Sequence, residues 1–241
     1  MPTTLQRLLL GKVTTTKYTD SVPVPAANAT RARTLKVQPS VSMVQRPVVK
    51  STMGMLTPLP GRATIVLDTV HDTHGSGVAG TPPDFGWILQ AAGLLETIVA
   101  ATSVTYAPTT AAQKAVDAYV YNDGLLNKLI GSVASKLAIE FKIGAPIEIQ
   151  ATLHAGLPAM PTAAAVPGGA VFQAALPIVL SSAITLLVGG VSVKASAMTF
   201  DLGIQVGDHY TTGENGYSVA DIGPTIKITK DSVGTAADWD A

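Results

Sequence analysis

Residues Gly75 to Gly80 match a pattern that binds nucleotides. The segment reads GSGVAG and fits G-x-G-x-x-G, in which glycines let the backbone approach the phosphates of a dinucleotide. This chemistry also needs a helix that opens within the motif and points its N-terminus at the phosphates. Pro82 and Pro83 follow almost at once, so a helix cannot begin early enough. The sequence favours a flexible turn, and a nucleotide-binding enzyme that uses this turn is the alternative from another functional class.

A second group of residues with possible chemistry is His71, Asp72 and His74. Two histidines three residues apart can share a metal ion, but a zinc site needs a third protein ligand. The chain contains only two other histidines, His154 and His209. We therefore expect a solvated strand end here and no metal site.

The composition and motifs of the chain argue against an enzyme and against a protein that binds nucleic acid tightly. The sequence has no cysteine, nucleophile elbow, H-E-x-x-H motif or obvious carboxylate pair, so we expect neither catalysis nor a cofactor. Its 16 basic and 16 acidic residues cancel, whereas a protein that holds nucleic acid tightly needs clustered Lys and Arg. Only 13% of residues are charged and 47% are hydrophobic, which indicates a surface covered by other copies of the chain.

The strongest structural signal runs from Lys136 to His154. Apolar and polar residues alternate strictly in two runs, which flank Gly144-Ala145-Pro146. The apolar positions are Leu137, Ile139, Phe141, Ile143, Ile147, Ile149, Ala151 and Leu153, and the polar side carries Lys136, Ala138, Glu140, Lys142, Glu148, Gln150, Thr152 and His154. Because successive strand side chains point to opposite faces, this pattern predicts a hairpin with one apolar and one wet face.

The rest of the chain predicts a mainly β protein, a sandwich or barrel with one flanking helix. We expect strands over 31–38, 62–70, 103–106, 117–121, 198–206 and 225–230, a hairpin turn at 122–124, and a helix over 82–93. Residues 1–30 form a loosely structured N-terminal arm, 39–61 a long proline-rich loop, and 231–241 a C-terminal tail, all within a single domain over 1–241. The first residues do not resemble a signal peptide, so we expect the chain to stay in the cytoplasm until assembly.

Residues 170–191 carry no charge and are long enough to cross a membrane. Gln173, Pro177 and Gly189-Gly190 interrupt them, and Pro177 would break a helix. We expect two or three strands with a proline-containing turn, and no membrane span. A membrane-inserted barrel is a further alternative, disfavoured by the lack of aromatic girdles at the strand ends.

Four blocks of this sequence resemble the tail tube proteins of long-tailed bacteriophages. They are LLLGKVTTTKYTDSVPVPAANATRARTLKVQPS (8–40), GSGVAGTPPDFGWILQAAGLLETIVAATSVTYAPTT (75–110), YVYNDGLLNKLIGSVASKLAIEFKIGAPIEIQATLHAGLP (119–158) and SAMTFDLGIQVGDHY (196–210). The blocks occur in the same order as in the family and cover most of the chain. Val70 to His74 departs from the family, which tends to place an acidic residue and small apolar residues there.

The resemblance implies a structural subunit of the virion tail, made in the host cytoplasm. Subunits of this family form hexameric rings around an inner β-barrel to which each contributes strands. The rings stack into a hollow tube around a tape-measure protein, between tail terminator and tail-tip or baseplate proteins, and in contractile tails inside a sheath. DNA later passes through without specific binding. The tube of a gene-transfer particle or of a contractile injection machine would have the same kind of subunit.

Two site hypotheses follow from the pattern and the resemblance together. The first places the polar side of the hairpin towards the lumen: Lys136, Glu140, Lys142, Glu148, Gln150 and Thr152. The alternative points that face outwards, because alternation gives faces and not directions. The second makes 39–61 the loop that stacks rings, with Ser42, Gln45, Arg46, Lys50, Met53 and Leu56 as its contacts. The tail 231–241 is the alternative stacking arm.

Overall fold

A computed structural model describes residues 7–46, 57–110, 113–179 and 186–230 of the chain. It is mainly β, and all its strand pairs are antiparallel, which confirms the predicted fold class at that level. The strands are β1 (Arg7–Thr14), β2 (Ala29–Thr30), β3 (Thr34–Val44), β4 (Leu59–Asp72), β5 (Leu94–Val99), β6 (Ser103–Pro108), β7 (Ala115–Asn122), β8 (Leu125–Lys142), β9 (Glu148–Gly156), β10 (Thr162–Ala163), β11 (Leu186–Val188), β12 (Val191–Val193), β13 (Ala195–Asp201), β14 (Ile204–Thr211), β15 (Glu214–Ile222) and β16 (Thr225–Lys230). The described residues include two short helices, α1 (Pro25–Asn28) and α2 (Gly86–Ala91).

Ten of the strands form one sheet, which the long strand β8 divides into two regions. We call sheet region I the strands β2, β1, β7 and β10 with residues 125–134 of β8. Sheet region II has the strand order β16, β13, β8, β9, β4, β3, with residues 136–142 of β8. Register shifts near Ile130 and Ser135 mark bulges in β8, and bulges bend a strand. The bends let one strand serve both regions.

One main core joins both regions to α2. It contains Leu9, Val120 and Leu129 from region I, Ile65, Leu137 and Leu153 from region II, and Trp87 and Ile88 from α2. The Trp87 indole donates a hydrogen bond to the Thr30 hydroxyl at 2.9 Å, which fixes the helix against β2. Within the described residues the sheet does not close into a barrel.

In the part of the chain that the structure describes, three hairpins lie off the main sheet: β5–β6, β11–β12 and β14–β15. Arg62 of β4 anchors the last of these. Its guanidinium donates to the Asn215 side chain and to the Gly216 carbonyl, each at 2.9 Å, and lies 3.1 Å from an Asp208 carboxylate oxygen. The same guanidinium lies over the Tyr217 ring, 4.7 Å from its centroid.

Several predicted elements are confirmed. The hairpin over 136–154 is β8–β9, and the strands over 62–70, 103–106, 117–121 and 225–230 are β4, β6, β7 and β16 with small changes at their ends. The turn at 122–124 joins β7 to β8, with Asp123 and Gly124 both at positive φ (48° and 84°). That is the backbone of a type I′ turn, and glycine adopts it without strain.

The prediction of a loose N-terminal arm over 1–30 is wrong for residues 7–14 and 25–30, while residues 1–6 lie outside the described residues. Strand β1 lies there and pairs along its whole length with β7. Leu8, Leu9 and Leu10 are all buried because both faces of β1 are covered, so alternation is missing. A strand buried on both faces reads as a continuous apolar run, which the sequence argument took for an irregular segment.

The predicted boundaries around residue 40 also need correction. The strand expected over 31–38 is β3, which continues to Val44 and pairs with β4 from Leu59 onwards. The two ends of the expected loop 39–61, residues 39–44 and 59–61, therefore belong to a hairpin, and its residues 47–56 lie outside the described residues. Pro39 lacks an N–H, but β3 is an edge strand, where proline is tolerated.

Three further predictions change in detail. The helix expected over 82–93 is shorter, Gly86–Ala91, because Pro82 and Pro83 precede it in a non-helical turn. The single strand expected over 198–206 is two strands, since Gly203 at φ 59° breaks the run after Leu202. Residues 170–191 contain β11 and the start of β12. Residues 171–178 belong to no strand, and 180–185 lies outside the described residues. No helix in the described part of the chain has the length and apolar character to cross a membrane.

Candidate functional site

The six residues predicted to line a lumen lie together on one face of sheet region II. Lys136 pairs with Thr152, Ala138 with Gln150, and Glu140 with Glu148 across β8 and β9. Residues that are direct partners in an antiparallel pair project to the same face. Lys142 belongs to the same alternating series on β8. The structure thus brings all six together, and their direction relative to a lumen stays a prediction.

This polar face is wider than the sequence predicted. Continuing each row of partners across the sheet adds residues from the four other strands of region II. The additions include Lys36 of β3, Asp68 and Asp72 of β4, Thr199 and Asp201 of β13, and Lys227 of β16. Only the pairing of distant strands shows that these residues share one face with the six predicted ones.

Side chains on the polar face bind one another. The Asp68 carboxylate accepts hydrogen bonds from the Gln38 amide at 3.0 Å and from the Thr152 hydroxyl at 2.8 Å. The Gln150 amide donates to the Glu140 carboxylate at 3.1 Å. These bonds link β3, β4, β9 and β8 in sequence across the face.

Arg33 offsets the repulsion between facing carboxylates. Glu140 and Glu148 are direct partners, and like charges at such positions destabilise a sheet. The Arg33 guanidinium forms an ion pair with Glu148 and lies 3.7 Å from a carboxylate oxygen of Asp72. Sequence reasoning missed Arg33, because it precedes β3 and belongs to no alternating run.

The opposite face of region II is the apolar one. Ile65, Leu67, Leu137, Ile149 and Leu153 are each at most 2% exposed and lie in the main core. One face of the region is therefore buried within the chain while the other remains open, as the alternation predicted.

The proposed stacking segment is the outer end of the β3–β4 hairpin. Pairing with β9 ends at Thr64, so residues on the Leu59 side of β4 and their β3 partners extend beyond the sheet. Ser42 lies within β3, where its hydroxyl donates to the Arg62 carbonyl at 3.1 Å, and Gln45 and Arg46 follow the strand, exposed. Of the other predicted contacts, Lys50, Met53 and Leu56 lie outside the described residues.

This outer end of the hairpin exposes apolar side chains. Val41, Met43, Val44 and Leu59 are between 36% and 60% exposed. Val44 and Leu59 are direct partners, as are Val41 and Ala63. The apolar surface thus occurs at several successive positions of the hairpin.

The histidines near the end of β4 are buried, so the prediction of a solvated strand end is wrong. His71 is 1% exposed and His74 is 5% exposed. His71 Nδ1 donates to the Arg31 carbonyl at 2.6 Å, and its Nε2 lies 2.8 Å from the Thr69 hydroxyl, which donates to it. Burial lowers the pKa of His71 to about 4. The burial of His71 could have been predicted from the sequence, since His71 continues the core-facing series of Ile65 and Leu67.

His74 contacts an acid instead of a neutral partner. Its Nε2 lies 3.0 Å from a carboxylate oxygen of Asp84, and both side chains are almost fully buried. Burial raises the pKa of the Asp84 carboxyl. Among the described residues, no group of three or more His, Cys, Asp and Glu side chains is arranged to hold a metal ion.

The turn over Gly75–Gly80 packs against another loop. A Cβ atom on Gly80 would lie 2.5 Å from the Ala101 nitrogen and 2.7 Å from the Val99 carbonyl oxygen. Helix α2 begins six residues later, at Gly86. The glycine at position 80 therefore has a packing role next to the β5–β6 turn.

No protein-family model matches the sequence, and no curated protein matches it.

Proposed function

We propose that this chain is the tube subunit of a long-tailed phage, and that it assembles into stacked hexameric rings which enclose a conduit for DNA. The resemblance of its sequence blocks to tail tube proteins supports this function. The tube of a gene-transfer particle or of a contractile injection machine would use the same geometry. In this proposal the chain is structural and has no enzymatic activity.

The observation that carries the proposal is the open six-stranded region II. Its edge strands, β3 and β16, have no further partner among the described residues. An even number of antiparallel strands means that β3 and β16 run in opposite directions, so β16 of one copy can pair antiparallel with β3 of the next. Repetition of that contact would turn a sheet with two open edges into a closed barrel, which removes the edges.

In such a barrel the polar face would line the lumen and the apolar face would pack on the rest of each subunit. Counting Arg33, the face carries five basic groups (Arg33, Lys36, Lys136, Lys142 and Lys227) and five carboxylates (Asp68, Asp72, Glu140, Glu148 and Asp201). A balanced lumen would let DNA pass without strong retention, since retention requires an excess of cations.

The outer end of the β3–β4 hairpin is suited to contacts between rings. A hairpin that projects from its sheet with Met43 60% exposed and Val44 53% exposed would gain from burial against another subunit. The tail 231–241 remains the alternative stacking arm. Tape-measure, terminator, tip or baseplate proteins and a sheath are the partners that this function implies in the virion.

Electron microscopy of the purified protein over a concentration series tests the function. We expect rings or hollow tubes with sixfold symmetry. Rings of another order would contradict the hexamer. A protein that stays monomeric at every concentration and binds a nucleotide tightly would support the enzyme alternative.

A cysteine in place of Gln150 tests the direction of the polar face. The chain has no cysteine, so Gln150→Cys carries the only thiol. We expect a bulky maleimide to label the unassembled protein and to fail on intact tubes, whose lumen it cannot enter. Thr105→Cys, at an exposed position of β6, controls for reagent quality in the unassembled protein. Rapid labelling of Gln150→Cys along intact tubes would place the face outside.

A further inference from the structure

The carboxylates of the polar face are held close to the sheet. All five are only partly exposed. Asp68 and Glu140 accept side-chain hydrogen bonds, and Asp72 and Glu148 flank Arg33. Asp201 accepts a hydrogen bond from the Gly203 N–H at 2.9 Å. Each negative charge of the face thus has a partner within the chain.

The lysines of the same face are arranged differently. Lys36, Lys136, Lys142 and Lys227 are all exposed. Among the described residues none of the four forms an ion pair, whereas Lys128 on region I pairs with Asp20 at 3.0 Å. A lysine stem is long and its ammonium group stays in water when nothing holds it. The face is neutral in sum, but the charges that reach farthest from it are positive.

We infer that the polar face of sheet region II contacts the phosphate backbone of double-stranded DNA through these four lysines. The contact is independent of base sequence and weak, because the nearby carboxylates cancel the long-range field while the ammonium groups alone reach the phosphates. It depends on salt, because each phosphate that a lysine neutralises releases condensed counterions.

The other side chains of the face favour a duplex backbone over other polyanions. No Phe, Tyr or Trp occupies the strand positions of this face, so unstacked bases of a single strand find no platform. Its apolar members are small, which gives an acidic peptide little to bury. Lys36 and Lys136 lie in one row, three strand spacings apart, or about 14 Å. That separation is close to the major-groove width of about 12 Å, so the two can contact phosphates on either side of the groove.

This inference rests on the proposed function for its meaning, since the tube is what brings DNA to the face. The proposed function and the proposed DNA contact can be refuted independently of each other. Assembly is read by microscopy, whereas the contact is read on unassembled protein in solution.

Fluorescence anisotropy of a labelled duplex of mixed sequence, titrated with unassembled full-length protein at several salt concentrations, tests the contact. We expect measurable binding at low salt that weakens as salt rises, with a log–log slope of about −0.9 for each phosphate contacted. In Lys36→Gln/Lys136→Gln the slope should become shallower by about two. The matched control is Arg7→Gln/Lys17→Gln, which removes the same charge from exposed positions outside region II and should leave binding unchanged.

Three outcomes would overturn the inference. One is the absence of binding at the lowest salt. Another is equal loss of binding in the two double variants, which would make the attraction non-local. The third is equal or tighter binding of poly-glutamate in place of the duplex, which would assign the face to an acidic protein segment.

Discussion

Sheet region I is covered on both faces, whereas sheet region II is covered on one. In β7 of region I, Val120 enters the main core and its neighbour Tyr119 enters a second, smaller core. In β9 of region II, Leu153 enters the main core and its neighbour Thr152 stays on the open polar face. The same alternation of side chains therefore has different energetic consequences in the two regions.

The second cover of region I comes from the chain segment after β10. Leu8, Leu10 and Ala29 of region I form the smaller core with Tyr119 and Leu126, and Val166 and Ala170 of that segment pack against it. On region II, Tyr217 of β15 lies against His154 at one end of the polar face, while Lys36, Lys136, Lys142 and Lys227 stay exposed on the rest of it. Region I is thus the part of the sheet that is buried on both faces, and region II is the part that remains available for contact.

Alanine substitution at neighbouring positions tests this contrast and gives the largest expected effects. In region I, Val120→Ala and Tyr119→Ala should both destabilise by about 2–5 kcal/mol, because each leaves a cavity in a core. In region II only Leu153→Ala should do so. Thr152→Ala should cost about 1 kcal/mol, the loss of one hydrogen bond to Asp68. Chemical unfolding monitored by circular dichroism measures all four.

The contrast between the two regions is contradicted if the alanine variants of β7 and β9 lose stability in the same pattern. A large loss for Thr152→Ala in the unassembled protein would mean that something in the chain covers the polar face. A small loss for Tyr119→Ala would mean that the smaller core contributes little.

Acid should weaken region II through His71 of β4. Burial lowers the pKa of His71 to about 4, whereas the unfolded chain takes up a proton near pH 6.5. The folded state holds His71 as the neutral imidazole. The stability that this imidazole contributes is therefore complete above pH 6.5 and is lost as the pH falls towards 4. The pKa difference corresponds to about 3 kcal/mol.

The measurement is the free energy of unfolding from pH 7 to pH 4 for the native chain and for His71→Gln. We expect the variant to be less stable at pH 7 but to lose less stability over this interval. His209→Gln is the control: this imidazole is 41% exposed, lies 2.6 Å from the Glu214 carboxylate on the β14–β15 hairpin outside region II, and its loss should leave the decrease in stability between pH 7 and pH 4 close to that of the native chain. Hydrogen exchange should show β4 opening before β7 in acid, and the reverse order would contradict a region II origin.

The alternation of region II was readable from the sequence because one face is apolar and the other polar. It predicted β4, β8 and β9 and placed six residues on one face. Region I could not be read in this way, since Leu8 to Leu10 give no period when both faces are buried. Arg33 and the rows that join Lys36 to Lys136 depend on the order of strands, which local pattern does not contain. His71 was misread because a polar residue was assumed to lie in water.

The two regions also differ in what surrounds their carboxylates, and this gives the smallest expected effects. Asp117 of β7 is fully buried and accepts hydrogen bonds from the backbone N–H groups of Ser21 at 2.7 Å and Gly131 at 2.8 Å. Asp117→Asn puts an amide donor against one of these N–H donors, where no water can enter, and should cost about 1–3 kcal/mol.

Asp68 of region II also accepts two hydrogen bonds, but from side chains on a partly exposed face. In Asp68→Asn the Gln38 and Thr152 side chains can rotate to new hydrogen-bond partners. Water can bind any donor or acceptor that remains without a protein partner. The expected loss is below about 1 kcal/mol, within the range of ordinary surface substitutions and single exposed hydrogen bonds. Unfolding at pH 7 compares the two isosteric changes directly. Equal losses would mean that Asp68 is as isolated from water as Asp117, and the polar face of region II would then be closed within a single chain, which leaves no open face for a lumen or for DNA.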